Sequence, residues 1–173
     1  MDEIIYIAGL FDGEGSCDIQ VDFRSAKKAD GHTERLIRFN PRMTLPLKRG
    51  YGDTQRAMDI MVKNLGGTVY NIKDRDMLRW SLGRIENLKI CANRLLPYLI
   101  VKRGVATKFL NALDLFPSRK GVSSTKGDKI WTSDLCIQVA TMAYDLNRHY
   151  GPAQGRFTRT LDDIIEEIKE IYG

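Results

Sequence analysis

From Ile4 to Phe11 the chain is apolar almost without interruption, and after Ser16 the pattern changes abruptly to strict alternation. An apolar stretch of the first kind predicts a helix packed on every side rather than an amphipathic surface helix. Cys17, Ile19, Val21 and Phe23 then alternate with Asp18, Gln20, Asp22 and Arg24, the period-two signature of a half-buried strand. The polar stretch Ser25–Thr33, with Gly31 inside it, reads as a hairpin connection. Beyond it Ile37, Phe39, Met43 and Leu45 alternate with Arg38, Asn40, Arg42 and Thr44 in a second strand. Pro41 and Pro46 would each remove a ladder donor, which predicts an edge position or local irregularity for that strand.

Ala57, Met58, Met61, Val62 and Leu65 recur at helical spacing within Gly52–Leu65, and Gly66-Gly67 stops that helix. Val69–Arg75 and Met77–Leu82 form a second hairpin about Asp76. There Asn71, Lys73 and Arg75 are offset from Tyr70 and Ile72, and Arg79 and Ser81 from Trp80 and Leu82. Helices are predicted over Ile85–Leu99, Lys102–Phe116, Ile130–Arg148 and Leu161–Tyr172, with polar loops at Pro117–Lys129 and His149–Thr160. The order is helix, two strands, helix, two strands, helices: an α+β chain with an αββαββα core and extra C-terminal helices. Four strands with one apolar face must lie on the helices. Their other face collects Asp18, Gln20, Asp22, Arg24, Arg38, Asn40, Arg42, Thr44, Asn71, Lys73, Arg75, Arg79 and Ser81. These side chains suit base edges, Arg to guanine, Asn or Gln to adenine, Asp to cytosine.

The length of 173 residues fits a single domain, and 43% hydrophobic content is enough to fill one core. Lys and Arg number 27 against 22 acids, so the chain carries +5. Acids cluster at Asp162–Glu170 while bases gather elsewhere, and the local field favours a polyanionic partner. Arg119 and Lys120, with Arg156, Thr158, Arg159 and Thr160, lie in the polar loops, where basic and hydroxyl side chains grip phosphates without reading sequence. Cys17, Cys91 and Cys136 are odd in number and widely spaced, which predicts neither a disulfide framework nor a zinc site. The acidic start Met1-Asp2-Glu3 and the shortness of the first apolar run argue against a signal peptide or a membrane anchor, so an intracellular protein is expected, with prokaryotic cytoplasm and organelle matrix both open.

The densest chemistry lies at the end of the first apolar run. Gly9 and Gly13 are four apart and so share a helix face, where missing side chains would admit a second helix at backbone contact distance. Gly13 and Gly15 are expected to break the helix and leave its last carbonyls unpaired, so that a carbonyl oxygen and the Glu14 carboxylate can converge on a hard cation such as magnesium. Asp12 is expected to brace the helix junction.

The run Tyr6-Ile7-Ala8-Gly9-Leu10-Phe11-Asp12-Gly13-Glu14-Gly15-Ser16 resembles the LAGLIDADG motif of homing endonucleases, in the variant whose last acid is Glu. Pro97–Lys102, Leu115–Ser118 and Leu146-Asn147 resemble further segments of single-motif members. The motif occurs once, and the resemblance therefore implies a homodimer formed through helix 3–13, with Ile5, Gly9, Asp12 and Gly13 at the interface. It implies a concave four-stranded sheet serving as a DNA saddle, with the alternating polar positions above reading the sequence. It assigns Glu14 as metal ligand, Gly13 as backbone ligand, Lys102 as a basic residue near the scissile phosphate, and Arg49 or its neighbour Lys48 as a solvent-organising residue. Two or three divalent cations, magnesium among them, would serve each dimer site. The implied activity is metal-dependent cleavage of both strands of a long pseudo-palindromic DNA target, leaving short 3′ overhangs, as in intron homing. The alternatives are an RNA maturase that assists splicing of its intron RNA and a non-catalytic DNA-binding protein of the same fold.

Overall fold

Asp2 starts the first helix by accepting the Ile4 amide on its side chain at 3.0 Å, a capping contact that satisfies one of the orphan donors of the first turn. From there α1 (Glu3–Glu14) runs to its C-cap at Gly15. In the computed structural model, which describes residues 2–50, 52–73, 75–117, 131–148 and 159–172, α1 passes unbroken through Gly13. Gly15 alone ends it: its φ of −71° is open to any residue, but a Cβ there would stand 2.4 Å from the Phe11 ring. Glycine at that position is thus a matter of close approach.

The remaining elements are β1 (Ser16–Lys27), β2 (Thr33–Lys48), α2 (Thr54–Leu65), β3 (Thr68–Ile72), β4 (Met77–Leu82), α3 (Ile85–Leu95), a 3-10 turn (Leu96–Tyr98), α4 (Arg103–Asp114), α5 (Ser133–Arg148) and α6 (Leu161–Tyr172). The four strands form one antiparallel sheet in the order β1-β2-β4-β3. This is the α+β order that the pattern predicts. The edge position expected for the proline-bearing strand is not found. β2 lies inside the sheet and pairs with β4, Pro46 facing Arg79. Successive residues of an antiparallel strand turn their amides to opposite neighbours, so an inner strand tolerates proline wherever the missing donor has no acceptor to serve.

Chain contacts group into two compact units. The first comprises Met1–Asp18 and Pro41–Leu113. Its core is Ile7, Ala8 and Phe11 of α1, Met43 and Leu45 of β2, Met58 and Met61 of α2, Trp80 of β4, Leu88 and Leu95 of α3, and Phe109 of α4. α1 packs on both α2 and α3. Asp53 caps α2 by accepting the Arg56 amide at 3.1 Å, and the Trp80 indole donates to the Gly66 carbonyl at 2.7 Å where α2 stops. Gly67 follows with φ +90°, and a Cβ there would fall 2.6 Å from the same indole nitrogen.

The second unit comprises Ile19–Asn40 and Asp114–Gly173. Here α5 and α6 pack together through Cys136, Ala140, Ile164 and Ile168, against Val21, Phe23, Ile37 and Phe39 from the strands. Phe39 stacks on Trp131 at 5.2 Å, and Phe116 meets both edge-on. Thr160 and Asp163 cap α6 reciprocally: the Thr160 amide donates to the Asp163 carboxylate at 2.8 Å and the Asp163 amide to the Thr160 hydroxyl at 3.2 Å.

Several boundaries differ from expectation for local reasons. The first hairpin connection is only residues 28–32, because both flanking strands extend further. The helix expected over Ile85–Leu99 tightens into a 3-10 turn at Leu96, the residue before Pro97. Lys102 precedes α4 instead of opening it, and β3 stops at Ile72, leaving Lys73 and Arg75 outside the strands.

Candidate active site and nucleic-acid interface

The C-terminal turn of α1 is held by a reciprocal clasp. Lys102 Nζ donates to three successive carbonyls, those of Phe11 at 3.0 Å, Asp12 at 2.6 Å and Gly13 at 3.0 Å. In return the Asp12 carboxylate accepts three successive amides, those of Ile100 at 2.6 Å, Val101 at 3.2 Å and Lys102 at 2.9 Å. A cation thus sits at the negative end of the helix dipole. The carbonyls expected to be unpaired are therefore engaged, because the lysine brought in by the 99–102 segment takes the place of the missing next turn. Asp12 braces this junction. Burial alone would raise its carboxyl, but the three amides and Lys102 outweigh it and hold Asp12 below the usual range. Burial lowers the Lys102 ammonium from its ordinary value, partly offset by Asp12 and Glu14.

Glu14, the last residue of α1, is exposed. Of the three acids on α1, Glu3 is bound by Lys63 and Asn64 and Asp12 by the clasp, while Glu14 makes no hydrogen bond or ion pair among the described residues. It opens on a cleft of about 480 Å³ lined also by Tyr6, Lys48, Asp53 and Thr54. Lys48, not Arg49, shares this cleft with Glu14. The Arg49 guanidinium is turned to the Asn71 side chain instead. Asp53 and Thr54 had no functional reading in the sequence; their helix-capping pattern was the signal that could have placed them beside Lys48, whose carbonyl accepts the Thr54 hydroxyl at 2.9 Å. Cysteine chemistry has no place here. Burial pushes the Cys17 thiol up, and that of Cys91 up to about 12, so neither supplies a thiolate near neutrality.

In the first unit, Asp18 is only 1% exposed and is ion-paired to Arg42 Nε at 2.7 Å. Thr44 is buried and its hydroxyl shares a 2.9 Å hydrogen bond with Ser16. The face proposed for β3 and β4 needs correction. Register places Asn71 opposite Leu78, while Tyr70 faces Arg79 and Thr68 faces Ser81. Cross-strand partners share a face, so Asn71 lies with Leu78 and Trp80, and Lys73 and Arg75 belong to the turn. Arg79 and Ser81 share their face with Thr44 and Lys48 of β2. Arg79 Nε is buried without a hydrogen-bond partner among the described residues.

In the second unit, Gln20, Arg24 and Arg38 are exposed, and Asn40 donates to the Asp22 carboxylate at 2.8 Å. Arg159 and Arg35 both pair with the buried carboxylate of Glu167, and the Arg159 guanidinium lies 5.3 Å over the Phe23 ring. Arg35 was not singled out by the sequence pattern, since it lies outside the alternating run. Arg119, Lys120, Arg156 and Thr158 lie outside the described residues.

The fold has close counterparts among solved structures. The homing endonuclease I-CvuI, in complex with its target in the presence of 2 mM calcium, matches 98% of this chain and 94% of its own at a TM-score of 0.71 and 20% identity. The archaeal intron-encoded homing endonuclease I-Vdi141I, complexed with DNA, matches 98% and 96% at 0.71 and 15% identity. I-TnaI, also a homing endonuclease, matches 95% and 97% at 0.65 and 20% identity. The fold is that of the LAGLIDADG homing endonucleases. No family model matches the chain, and no curated protein sequence does.

Within the LAGLIDADG fold, the donors at the end of α1 fit a hard divalent cation in part. Glu14 supplies a carboxylate directed to solvent, and the Gly13 carbonyl keeps a second lone pair beside the one given to Lys102. Among the described residues no group of three or more His, Cys, Asp or Glu is placed to hold a metal. Two such oxygens are fewer than the roughly six ligands a hard divalent cation takes. None of the described helices is long and apolar enough to cross a membrane.

Proposed function

We propose that this chain is a site-specific double-strand DNA endonuclease that acts as a homodimer, hydrolysing phosphodiester bonds with magnesium across a long pseudo-palindromic target to leave short 3′ overhangs. The observation that carries this reading is Glu14, a carboxylate with no hydrogen bond or ion pair among the described residues, ending an apolar, core-packed helix and opening on a cleft lined with Lys48. Residues 1–173 act as a single endonuclease domain.

Support for a second copy comes from the outer face of α1. Ile5 is 51% exposed, and a Cβ built at Gly9 or Gly13 meets nothing within 4 Å. Beside the clasp, Ile100 and Val101 are 86% and 77% exposed. Apolar side chains and bare backbone together form a surface that a second helix of the same kind would cover. Pairing two such faces on a dyad brings two Glu14 carboxylates and two Gly13 carbonyls together, the density of oxygen ligands that one chain lacks.

Bound magnesium would neutralise charge on the transferring phosphate and ease deprotonation of water. Glu14 and the Gly13 carbonyl would hold it. Lys102, fixed at the end of α1, stabilises the charge that develops at the scissile phosphate, and Lys48 orders solvent in the cleft, a role that Arg49 is less well placed to fill. Arg42, Asn40, Arg38, Gln20, Arg24, Arg79 and Ser81 read base edges, and Arg119, Lys120, Arg156, Thr158 and Arg159 grip phosphates.

The test is cleavage selection on a randomised duplex library with magnesium, calcium and chelator in parallel, followed by Glu14→Gln on the selected site. The expected result is magnesium-dependent double-strand cleavage that Glu14→Gln abolishes while DNA binding and thermal stability persist. Full cleavage by a folded Glu14→Gln protein would refute the assignment.

A further inference from the structure

The clasp at the end of α1 is symmetrical in kind. One lysine ammonium satisfies three consecutive carbonyls, and one carboxylate satisfies three consecutive amides just before α4 begins. Either half alone would cap a chain end. Together they do something more specific, because the third amide that Asp12 holds is that of Lys102 itself, at 2.9 Å. Asp12 therefore fixes the backbone from which the lysine side chain departs, and the carbonyl of Asp12 receives the shortest of the three ammonium contacts, 2.6 Å.

A lysine side chain has four rotatable bonds, and its ordered placement must be supplied by its surroundings. Here Asp12 touches both of its ends, the backbone amide through its carboxylate and the ammonium through its carbonyl, alongside the carbonyls of Phe11 and Gly13, while the ammonium stays beside Glu14. We propose that Asp12 is a positioning residue: it sets the place of Lys102 at the reacting phosphate, and acts on the reaction only through that lysine. The proposal rests on the endonuclease reading above for its catalytic consequence, but its structural core is separable from it.

Asp12→Asn is the informative change because it keeps size and shape. The two carboxylate oxygens receive amides on both sides, Oδ2 from Ile100 and Val101 and Oδ1 from Lys102. An asparagine can offer only one oxygen, so one side of the clasp must meet a donor with a donor. The backbone at Lys102 is then released while α1 keeps its core residues.

Two measurements decide the matter on the full chain. The first needs no DNA: nitrogen-15 NMR of the lysine ammonium groups, with the Lys102 signal identified by its absence in Lys102→Met. Slow proton exchange at Lys102 in the wild-type chain and fast exchange in Asp12→Asn is expected; unchanged exchange in Asp12→Asn overturns the proposal. The second is a double-mutant cycle on a duplex recovered by magnesium-dependent selection. Asp12→Asn is expected to lower kcat by about 100-fold with KM nearly unchanged, as for misplacement of a catalytic group by about 1 Å. In the Lys102→Met background the same change should cost less than about twofold. Equal losses in both backgrounds overturn the positioning role while leaving the endonuclease reading intact. Absence of any cleavage by the wild-type chain defeats that reading instead, and the NMR result then stands alone on the clasp.

Discussion

Gly9→Ala separates the isolated chain from its pair. Gly9 lies inside α1, it is exposed, and a Cβ there meets nothing within 4 Å. In a lone protomer the substitution can only help, since alanine is favoured over glycine in a helix interior by about 0.5–1 kcal/mol. For a chain of this size that corresponds to a rise in Tm of roughly 1–4 °C. If a second α1 packs at backbone distance on the Gly9–Gly13 face, the sign reverses for association. Each added methyl overfills a close-packed contact at about 1–3 kcal/mol, and a dyad applies the cost twice. The dimer Kd should then weaken by roughly 30-fold at the low end and by about 10⁴-fold at the high end. Sedimentation velocity over a dilution series gives Kd, and thermal melts at concentrations where the wild-type chain is monomeric give intrinsic stability. A Gly9→Ala chain that is more stable yet self-associates as tightly as the wild type would refute the pairing of α1 helices through this face.

Gly15→Ala should behave oppositely in the monomer: its Cβ would lie 2.4–2.7 Å from atoms of the fully buried Phe11 ring, and displacing that ring costs about 1–3 kcal/mol, visible as a lower urea midpoint with no gain at any concentration. Arg42→Met leaves Asp18, 1% exposed, without its guanidinium; the arginine is itself about one-third exposed, so a cost of about 1–3 kcal/mol is expected, below that of a fully buried pair, and unchanged chemical denaturation would disprove the importance of the pair. Asp163 sits below its ordinary value of 3.8 because the Thr160 amide and hydroxyl stabilise its carboxylate. A depressed acid contributes stability above its unfolded pKa and loses it as pH falls through the folded one, so the advantage of wild type over Asp163→Asn in urea midpoint should shrink as pH is lowered through the acid range, and a constant difference would count against the capping box. Cys17 and Cys91 should resist alkylation in the folded chain at neutral pH and react on unfolding; rapid modification of either in the native state would contradict their burial.

Much of this architecture was legible because the periods in the sequence are strong. Alternation from Cys17 to Arg24 and from Ile37 to Leu45 defines β1 and β2, and apolar spacing in Gly52–Leu65 and Leu161–Tyr172 defines α2 and α6. What failed was information that resides in pairing rather than in order. Nothing local distinguishes Asn71 from Arg79 as members of a polar face; only the register with β4 does, and a shift of one residue exchanges the two faces. The position of β2 inside the sheet was hidden for a similar reason, since proline reports a missing donor but not which neighbour it would have served. At the candidate site, the motif that ends in Glu14 was legible from spacing as a feature of the chain. The choice between Lys48 and Arg49 was not, because both follow the same strand and only the cleft and the Asn71 contact separate them.

The acids of this chain illustrate why identity alone does not assign a role. Asp12, Asp18, Asp22 and Glu167 are each committed to a partner within their own unit: backbone amides for Asp12, an arginine for Asp18, an asparagine for Asp22, two arginines for Glu167. A carboxylate so engaged has already exchanged its hydration for fixed donors, and recruiting it to a ligand means breaking those contacts. It can instead order the group it holds, and of the groups held here Lys102, Arg42, Asn40 and Arg159 are ones proposed to meet DNA, while Arg35 is not. Glu14 stands apart because no hydrogen bond or ion pair among the described residues holds its carboxylate, although the helix dipole at that end disfavours an anion. Helix stability gives no reason for an acid there beyond its attraction to the nearby Lys102 ammonium, and the metal-dependent reading proposed above supplies one.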